Sequence, residues 1–431
     1  MSFYDRERET LDRAALLESQ DEKLALLMAA LPQNPFYREK LAAAGIDPLS
    51  VRRCEDLSRL PLTTKQELLD SQQRQPPYGN LSTWPLSHYS YLHQTSGTSG
   101  KPLLWLDTED DWQTWLRCWG QIYRAAGVTP DDVVFCAFSF GPYVAHWSAL
   151  AGARSIGALG LPASGMSSLQ RLERILEHRA TVVVSTPTYA LHLAEVAMEN
   201  GLDLVSSAVR ITIHAGESGA SVPNVKRRIE DAWGARAFDH AGATEVGAWG
   251  FDCQADDQAI HLNELEFFFE VIDSESGEEI AEGVRGELVI TTLGRTGMPV
   301  VRYRTGDLAV RTNEPCACGR NLSRIKGGVL GRADDMLIVR GVNVFPSAID
   351  NLVRSLPSIS EYQVEIRREA ALDDLLIRIE TTPDQPFEEV EQELIGVFRS
   401  QLNIRIGIAK AEAGSLPRYE LKARRFRRIT K

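Results

Sequence analysis

The sequence has little of what marks several protein classes, and each shortage removes a reading. Basic residues number 47 against 59 acidic ones, a net charge of −12. That balance excludes a general nucleic-acid binder and a protein drawn to anionic membranes. No apolar run is long enough to span a bilayer. The opening MSFYDRERETLDR is charged throughout and holds no apolar signal core, so a cytoplasmic location is expected, where thiols stay reduced. Six cysteines are too few to staple a 431-residue chain. Cys54, Cys118 and Cys136 stand alone in apolar or helical contexts and read as inert core thiols. There is no internal repeat and no low-complexity segment. The one local departure from acidity is the last ten residues, KARRFRRITK, with six basic side chains. It reads as a solvated tail that could also meet a phosphorylated ligand.

What is present begins with length, since 431 residues exceed one ordinary core and call for two or more domains. Residues 5–45 carry apolar positions at helical spacing. EDDWQTWLRCWGQIYRAA (109–126) is a strongly amphipathic helix with Trp112, Trp115, Trp119 and Tyr123 on one packing stripe. From 130 to 240 the strand-like DVVFCAF, RSIGALGL, TVVVST and VRITIHAG alternate with helix-like SSLQRLERILEH, TYALHLAEVAMEN and SVPNVKRRIEDAWG. Such alternation predicts a parallel sheet covered by helices, with ligands at the carboxyl ends of its strands. After 260 the chain turns strand-rich, as a β-subdomain on the α/β body. From 331 to 431 a helix, two strands and a second helix predict a small α+β domain. The fold class is therefore α/β: a large domain over 1–330 and a small C-terminal α+β domain over 331–431.

Four segments carry chemistry. HQTSGTSGKP places Thr95, Ser96, Gly97, Thr98, Ser99, Gly100 and Lys101 between two strand-like runs. Backbone amides freed by glycine, hydroxyl donors and one cation describe a phosphate cradle, although a bland turn has a similar composition. The P-loop reading fails, because Lys101 is followed by Pro102 and a strand instead of Ser/Thr and a helix. HAGATEVG (240–247) sets Thr244 and Glu245 in a small-residue loop, where the carboxylate could hold Mg²⁺ or be a surface charge. RYRTGDL puts Asp307 after Gly306, able to accept from two ribose hydroxyls or to form a plain turn. GRADDMLIVRG places Arg332 beside Asp334 and Asp335 where the pattern changes.

TSGTSGKP, then AGATE, then YRTGDL, then GRADD…VRGVNVFP resemble in order the adenylate-forming superfamily of acyl-CoA synthetases, adenylation domains and luciferases. LPQNPFYREKL…LSRLPLTTKQELLD and SLPRYELKARRF resemble its phenylacetate-CoA ligase branch more narrowly. The resemblance covers about residues 10–428. It implies a two-step reaction: a carboxylate attacks the ATP α-phosphate to give an acyl-adenylate and pyrophosphate, and then a thiol, usually that of coenzyme A, displaces AMP. It implies that residues 95–101 hold the pyrophosphate end, Glu245 binds Mg²⁺, Thr244 the α-phosphate, and Asp307 the ribose with help from Arg332. It makes Lys422 the adenylation lysine, ahead of Lys410 and Lys431, with Asp334 the hinge and Gly341 in the strand lining the thiol tunnel.

One departure concerns adenine. The family commonly stacks an aromatic on it where this chain has Ala241, preceded by Asp239 and His240. Adenine then falls to another ring or to the Ala215-Gly216-Glu217 strand end, with His240 either structural or part of acyl recognition. The acyl candidates are Phe140, Tyr143, Ala145, His146, Ala215, Gly216, His240 and Ala241, a set suited to a flat aromatic acid. Cys253 and His261 with Cys316 and Cys318 match a pattern branch members often show, and imply a structural zinc with no open coordination position. The expected activity is an aryl- or arylacetyl-CoA ligase acting on phenylacetate or a substituted benzoate such as anthranilate. Its rival loads the acid onto a carrier protein's phosphopantetheine, and a homodimer is expected as an option. A non-catalytic nucleotide-binding module is disfavoured because Lys101, Glu245, Asp307 and Lys422 are all present. A zinc hydrolase is disfavoured because the four ligands would saturate the metal.

Overall fold

The computed structural model describes residues 2–96, 101–138, 141–339, 342–369, 372–383, 385–420 and 422–429. Gly97, Thr98, Ser99, Gly100, Phe140 and Gly341 lie outside these residues. The strands Leu159–Pro162, Val133–Cys136, Val182–Ser185, Ile211–His214 and Arg236–Ala243 adjoin in that order, all parallel. Alternate residues serve opposite faces, as a pleated strand requires. Val134 and Cys136 enter one core with Trp119 and Ala153, while Phe135 enters a second with Tyr189 and Trp233. Burial on both faces explains why these strands read as continuous apolar runs.

The strand-rich half does not form a separate sheet. Gly247–Cys253 pairs antiparallel with Arg236–Ala243, and hydrogen bonding continues through Asp256–Leu262, Arg324–Lys326, Tyr303–Thr312 and Arg285–Thr292 to Phe267–Ile272. The β-subdomain expected from the sequence is thus continuous with the parallel half in one mixed sheet of 12 strands. RSIGALGL (154–161) does carry a strand, but it begins only at Leu159, and the helix Val144–Ser155 before it was not expected. Its residues are small and apolar on most sides, so no helical stripe shows in the sequence. Gly152 backs onto Trp119, where a Cβ would stand 2.3 Å from that residue's own Cβ.

A second sheet, of six strands, combines Leu337–Val339, Val342–Val344, Ile359–Glu369, Leu372–Thr381, Gly407–Lys410 and Phe426–Ile429. The helices Pro346–Arg354 and Phe387–Leu402 join it around a separate core that includes Ile349, Val364, Ile377, Leu394 and Phe398. The basic tail is not simply solvated: Phe426–Ile429 runs parallel to Ile359–Glu369, and Arg425 is buried against Glu361 at 2.7 Å.

The first residues are bolted to the far side of the large sheet. Buried Arg320 donates from Nε to Glu9 Oε2 at 2.6 Å and from Nη2 to the Ser2 carbonyl at 2.9 Å. The other Glu9 oxygen accepts the Tyr4 and Asp5 N–H groups. Removing one partner of a fully buried pair strands a charge. Arg320→Ala is therefore predicted to lower the unfolding free energy by about 3–5 kcal/mol in denaturant titrations. Arg13→Ala removes a half-exposed partner of Glu264 and should cost no more than about 1 kcal/mol.

Candidate active site

Loops at the carboxyl ends of the parallel strands meet at one edge of the sheet, as the topology of such sheets dictates. Ala215-Gly216-Glu217 follows Ile211–His214, and Thr244-Glu245 links Arg236–Ala243 to Gly247–Cys253. The hairpin Tyr89–Gln94 and Leu104–Thr108 brings Thr95 close by. Thr95 closes the base of the glycine–hydroxyl loop: its N–H donates to the Leu103 carbonyl and its hydroxyl accepts the Leu103 N–H. Ser96 and Lys101 are exposed at the two described ends of that loop.

Glu245 is buried, and its Oε1 receives the Tyr303 hydroxyl at 3.0 Å and the Lys65 ammonium at 3.1 Å. Burial, followed by the Glu245 charge, drives the Tyr303 phenol well above its ordinary pKa, so it stays a donor. Lys65 and Tyr303 were not singled out from the sequence. A signal for Lys65 exists: the capping box of Thr64 and Glu67 fixes a helix start and puts Lys65 on its first residue. Behind the loop, Arg295 donates to the Val246 carbonyl at 2.8 Å and pairs with buried Asp107. Its guanidinium also lies 5.3 Å from the centre of the Trp115 ring.

Asp307 lies on Tyr303–Thr312, where its backbone pairs with Arg332 and its carboxylate is 3.7 Å from the Arg332 guanidinium. Burial raises the Asp307 pKa to about 6 despite the opposing pull of Arg332 and Lys422. Gly306 adopts φ +75°, and a Cβ there would come within 2.8 Å of the Arg332 guanidinium. Arg332 also donates to both oxygens of Asp334, at 2.9 and 3.1 Å, in the turn Ala333–Asp335.

Lys422 arrives from the distant C-terminal segment. Its Cε lies 3.4 Å from where a Cβ on Gly216 would be, and Gly216 has φ +96°. Solvent reaches the side chain, yet crowding by protein atoms lowers its pKa against the pull of Glu217, Asp307 and Glu245. Lys422, Gly216, Glu217, Asp307 and Glu245 are thus brought together. Glu217 accepts the Thr188 N–H at 3.0 Å and the Ala423 N–H at 2.8 Å.

Asp239 and His240 sit deeper. Asp239 accepts from Ser221, and burial raises its pKa to about 6. His240 Nδ1 is 2.9 Å from the Gly250 carbonyl and its ring packs on Trp119 at 4.7 Å; burial lowers its pKa to about 4, so it is neutral. Ala241 is half-buried beside Gly250, with no ring on its own side chain. His146 stacks on Phe138 at 4.4 Å and meets Tyr143 edge-on at 5.8 Å, while Ala145 is half-buried next to them.

Four side chains able to hold a metal gather elsewhere on the large sheet. Cys253, His261, Cys316 and Cys318 are buried, their ligand atoms all within 4.8 Å of one another. Cys253 and Cys316 sulfurs are 3.7 Å apart, and Cys318 Sγ is 3.4 Å from His261 Nε2. Tetrahedral zinc with Zn–S near 2.3 Å requires S–S edges of about 3.8 Å, so the donor set fits that ion. By contrast, burial pushes the thiols of Cys54, Cys118 and Cys136 up and leaves them inert.

Residues 19–296 match the AMP-binding enzyme family, and residues 341–428 match the AMP-binding enzyme C-terminal domain. The chain belongs to this family. It is 34% identical over 397 residues to the phenylacetate-coenzyme A ligase of Thermus thermophilus, covering 91% of this chain and 87% of that one. This places it on the phenylacetate-CoA ligase branch of the AMP-binding enzymes, as an AMP-forming acid–CoA ligase. A crystal structure of 2-hydroxyisobutyryl-CoA ligase in a postadenylation state, with an acyl-AMP bound, superposes at TM-score 0.94 and 30% identity, covering 99% of this chain and 92% of the other. The same ligase in its thioesterification state gives TM-score 0.75 at 31% identity, covering 98% and 91%. Its postadenylation arrangement is therefore the one this structure shares.

The raised pKa of Asp307 has a stability signature. The native state holds the proton up to about pH 6 and the unfolded chain releases it near the ordinary aspartate value, so stability falls as pH rises between them. Relative to Asp307→Asn, the wild-type protein is predicted to lose on the order of 2–3 kcal/mol from pH 4 to pH 7, read from denaturant midpoints.

Proposed function

We propose that this chain activates an aromatic carboxylic acid with ATP, phenylacetate being the first candidate, and passes the acyl group to coenzyme A. The observation that carries the reading is the seating of Lys422 at Gly216 among Glu217, Asp307 and Glu245. A lysine some 200 residues away in sequence reaches the strand ends at a point where three carboxylates face it. Carboxylate and α-phosphate are both anionic, so they approach only if a cation bridges them and the groups are held in line. Lys422 supplies that cation. Residues 95–101 bind the pyrophosphate end, Thr244 the α-phosphate, and Asp307 accepts from the ribose hydroxyls with Arg332 beside it. Asp239, Ala241 and the Ala215-Gly216 backbone bound the adenine position.

Glu245 is the buried carboxylate of the Thr244-Glu245 loop, and a divalent cation there would exchange with the Lys65 ammonium that now stands against its Oε1. Magnesium held there would neutralise phosphate charge as pyrophosphate leaves. Lys65 then faces the same phosphates, a role added by the structure. Residues 1–330 act as the adenylation domain and 331–431 as the mobile lid, turning at Asp334 to bring the segment of Gly341 to the thiol. The rings of Tyr143, His146, Trp119 and His240 favour a flat acid. The likeness to 2-hydroxyisobutyryl-CoA ligase supports a second reading, a small hydroxylated acid, in which neutral His240 serves as a hydrogen-bond partner. Cys253, His261, Cys316 and Cys318 hold a structural zinc that fills all four positions and takes no part in the chemistry.

Pyrophosphate release from MgATP is measured across phenylacetate, benzoates including anthranilate, and 2-hydroxy acids, with and without CoA. CoA-dependent turnover of phenylacetate is expected; adenylation that only a carrier protein discharges would replace CoA as acceptor, and silence with every acid would overturn the reading. Lys422→Ala is expected to lower pyrophosphate release by at least about a hundred-fold while leaving thioester formation from supplied acyl-adenylate intact. Metal analysis of purified protein should give one zinc per chain. Cys316→Ser should lose the zinc and melt at a lower temperature; a zinc-free wild-type protein would remove the site.

A further inference from the structure

Glu217 spans the two sheets at the point where Lys422 enters. Its Oε1 accepts the N–H of Thr188, the second residue of the helix Pro187–Glu199, and its Oε2 accepts the N–H of Ala423. Ala423 is covalently next to Lys422, so the bond fixes the backbone that carries the ammonium. Of the charges attracting Lys422, Glu217 acts most strongly, ahead of Asp307 and Glu245. The same helix receives two further contacts from this segment: Arg425 donates to Thr188 Oγ1 at 3.2 Å, and Arg418 pairs with Glu195 at 3.0 Å. Three groups on or against one helix thus grip residues 418–425.

We propose that Glu217 is the positioning residue for Lys422: through the Ala423 N–H and the helix Pro187–Glu199 it latches the C-terminal segment for adenylation, and it is released for the thiol-transfer step. This rests on the role proposed for Lys422. A carboxylate suits the task because it accepts from two N–H groups and also attracts the ammonium they bring with them. A charged acceptor makes a stronger bond to a backbone N–H than a neutral one does. Glutamine in its place keeps the volume but turns one acceptor into a donor facing another donor, and removes the attraction for Lys422. Because the Ala423 contact exists only while Lys422 is in the site, its loss falls on one half-reaction.

The test compares wild type, Glu217→Gln and Glu217→Asp as full-length proteins by three measurements. Glu217→Gln is expected to lower kcat for pyrophosphate release by about ten-fold or more, with KM for ATP within about two-fold. Thioester formation from supplied phenylacetyl-adenylate and CoA should be unchanged or faster, and Glu217→Asp should recover part of the adenylation rate. Hydrogen exchange of the backbone around Ala423 should be protected in wild type and accelerated in Glu217→Gln, while exchange in Val182–Ser185 stays the same. A raised KM for ATP at unchanged kcat would make Glu217 a nucleotide contact and overturn the proposal. So would an equal loss in both half-reactions, or Ala423 exchange that does not change. Hydrogen exchange needs no turnover: if wild type adenylates no acid, the proposed activity fails while the latch contact is still judged.

Discussion

The site depends on one buried guanidinium. Arg295 lies just beyond the strand Arg285–Thr292 and is sealed from solvent with Asp107, which belongs to the second strand of the hairpin that carries the glycine–hydroxyl loop. Its other nitrogens hold the carbonyl of Val246 at the end of the Thr244-Glu245 loop, and its plane lies over Trp115 of the long helix. Four elements from three separate stretches of the chain therefore meet on one side chain with a fixed fork of donors. The hairpin has only a two-stranded sheet of its own, which alone would be marginally stable, and this pair helps seat it together with Gln72 on Leu104 and the Tyr89 hydroxyl on the Gly297 carbonyl. An ion pair so buried gives little net stability but is costly to break, so its effect is on register: the strand Leu104–Thr108 and the Thr244-Glu245 loop are tied to one side chain.

Against that fixed floor stands a second, six-stranded sheet with an apolar core of its own. Its contacts to the large domain include several polar ones: Asn224 with Asn351, Arg228 with the Ile359 carbonyl, Arg418 with Glu195, Ala423 with Glu217. Polar, hydrogen-bonded interfaces of this kind can be made and broken at small free-energy cost, unlike a shared apolar core. That separability is consistent with one relative superposing well in one reaction state and less well in another. A bound state held by several weak directional bonds is also a state whose population a single carboxylate can shift.

How much was legible follows residue type. The helix Glu109–Ala126 could be read from its start because Thr108 and Asp111 form a capping box and Gly127 ends it at φ +89°. The helices Ser168–Glu177 and Pro223–Trp233 carry strong apolar stripes and were equally plain. Val144–Ser155 was missed because a helix buried on most sides has no polar face to set a period. Joining of the strand-rich half to the parallel half was invisible, since pairing between Arg236–Ala243 and Gly247–Cys253 is set by three-dimensional packing and not by composition. In the candidate site, Glu245, Asp307 and Lys422 stand in glycine-rich or turn-forming motifs and could be singled out, and the structure brings them near one another. Lys65, Tyr303, Arg295 and Asp107 stand in ordinary helix and strand contexts, and only the fold brings them to the same place.

The overall acidity of the chain reads differently once the partners are known. Arginines at 295, 302 and 320 are each buried on an acidic partner, so much of the positive charge lies inside the protein. The same holds in the last residues. Burial would raise the Glu361 carboxyl, but Arg354 and Arg425 overcome it and hold its pKa at about 2, making Arg425 part of the small domain's frame. Lys422 is then the exception among these cations: three carboxylates attract it, none forms a fixed ion pair with it, and crowding by protein atoms lowers its pKa although solvent reaches the side chain. A cation held without a fixed ion partner, on a segment whose own anchors fall on its neighbours Arg418, Ala423 and Arg425, can give its charge to an incoming anion. The tightly paired arginines cannot, because each would leave an acid buried without a partner.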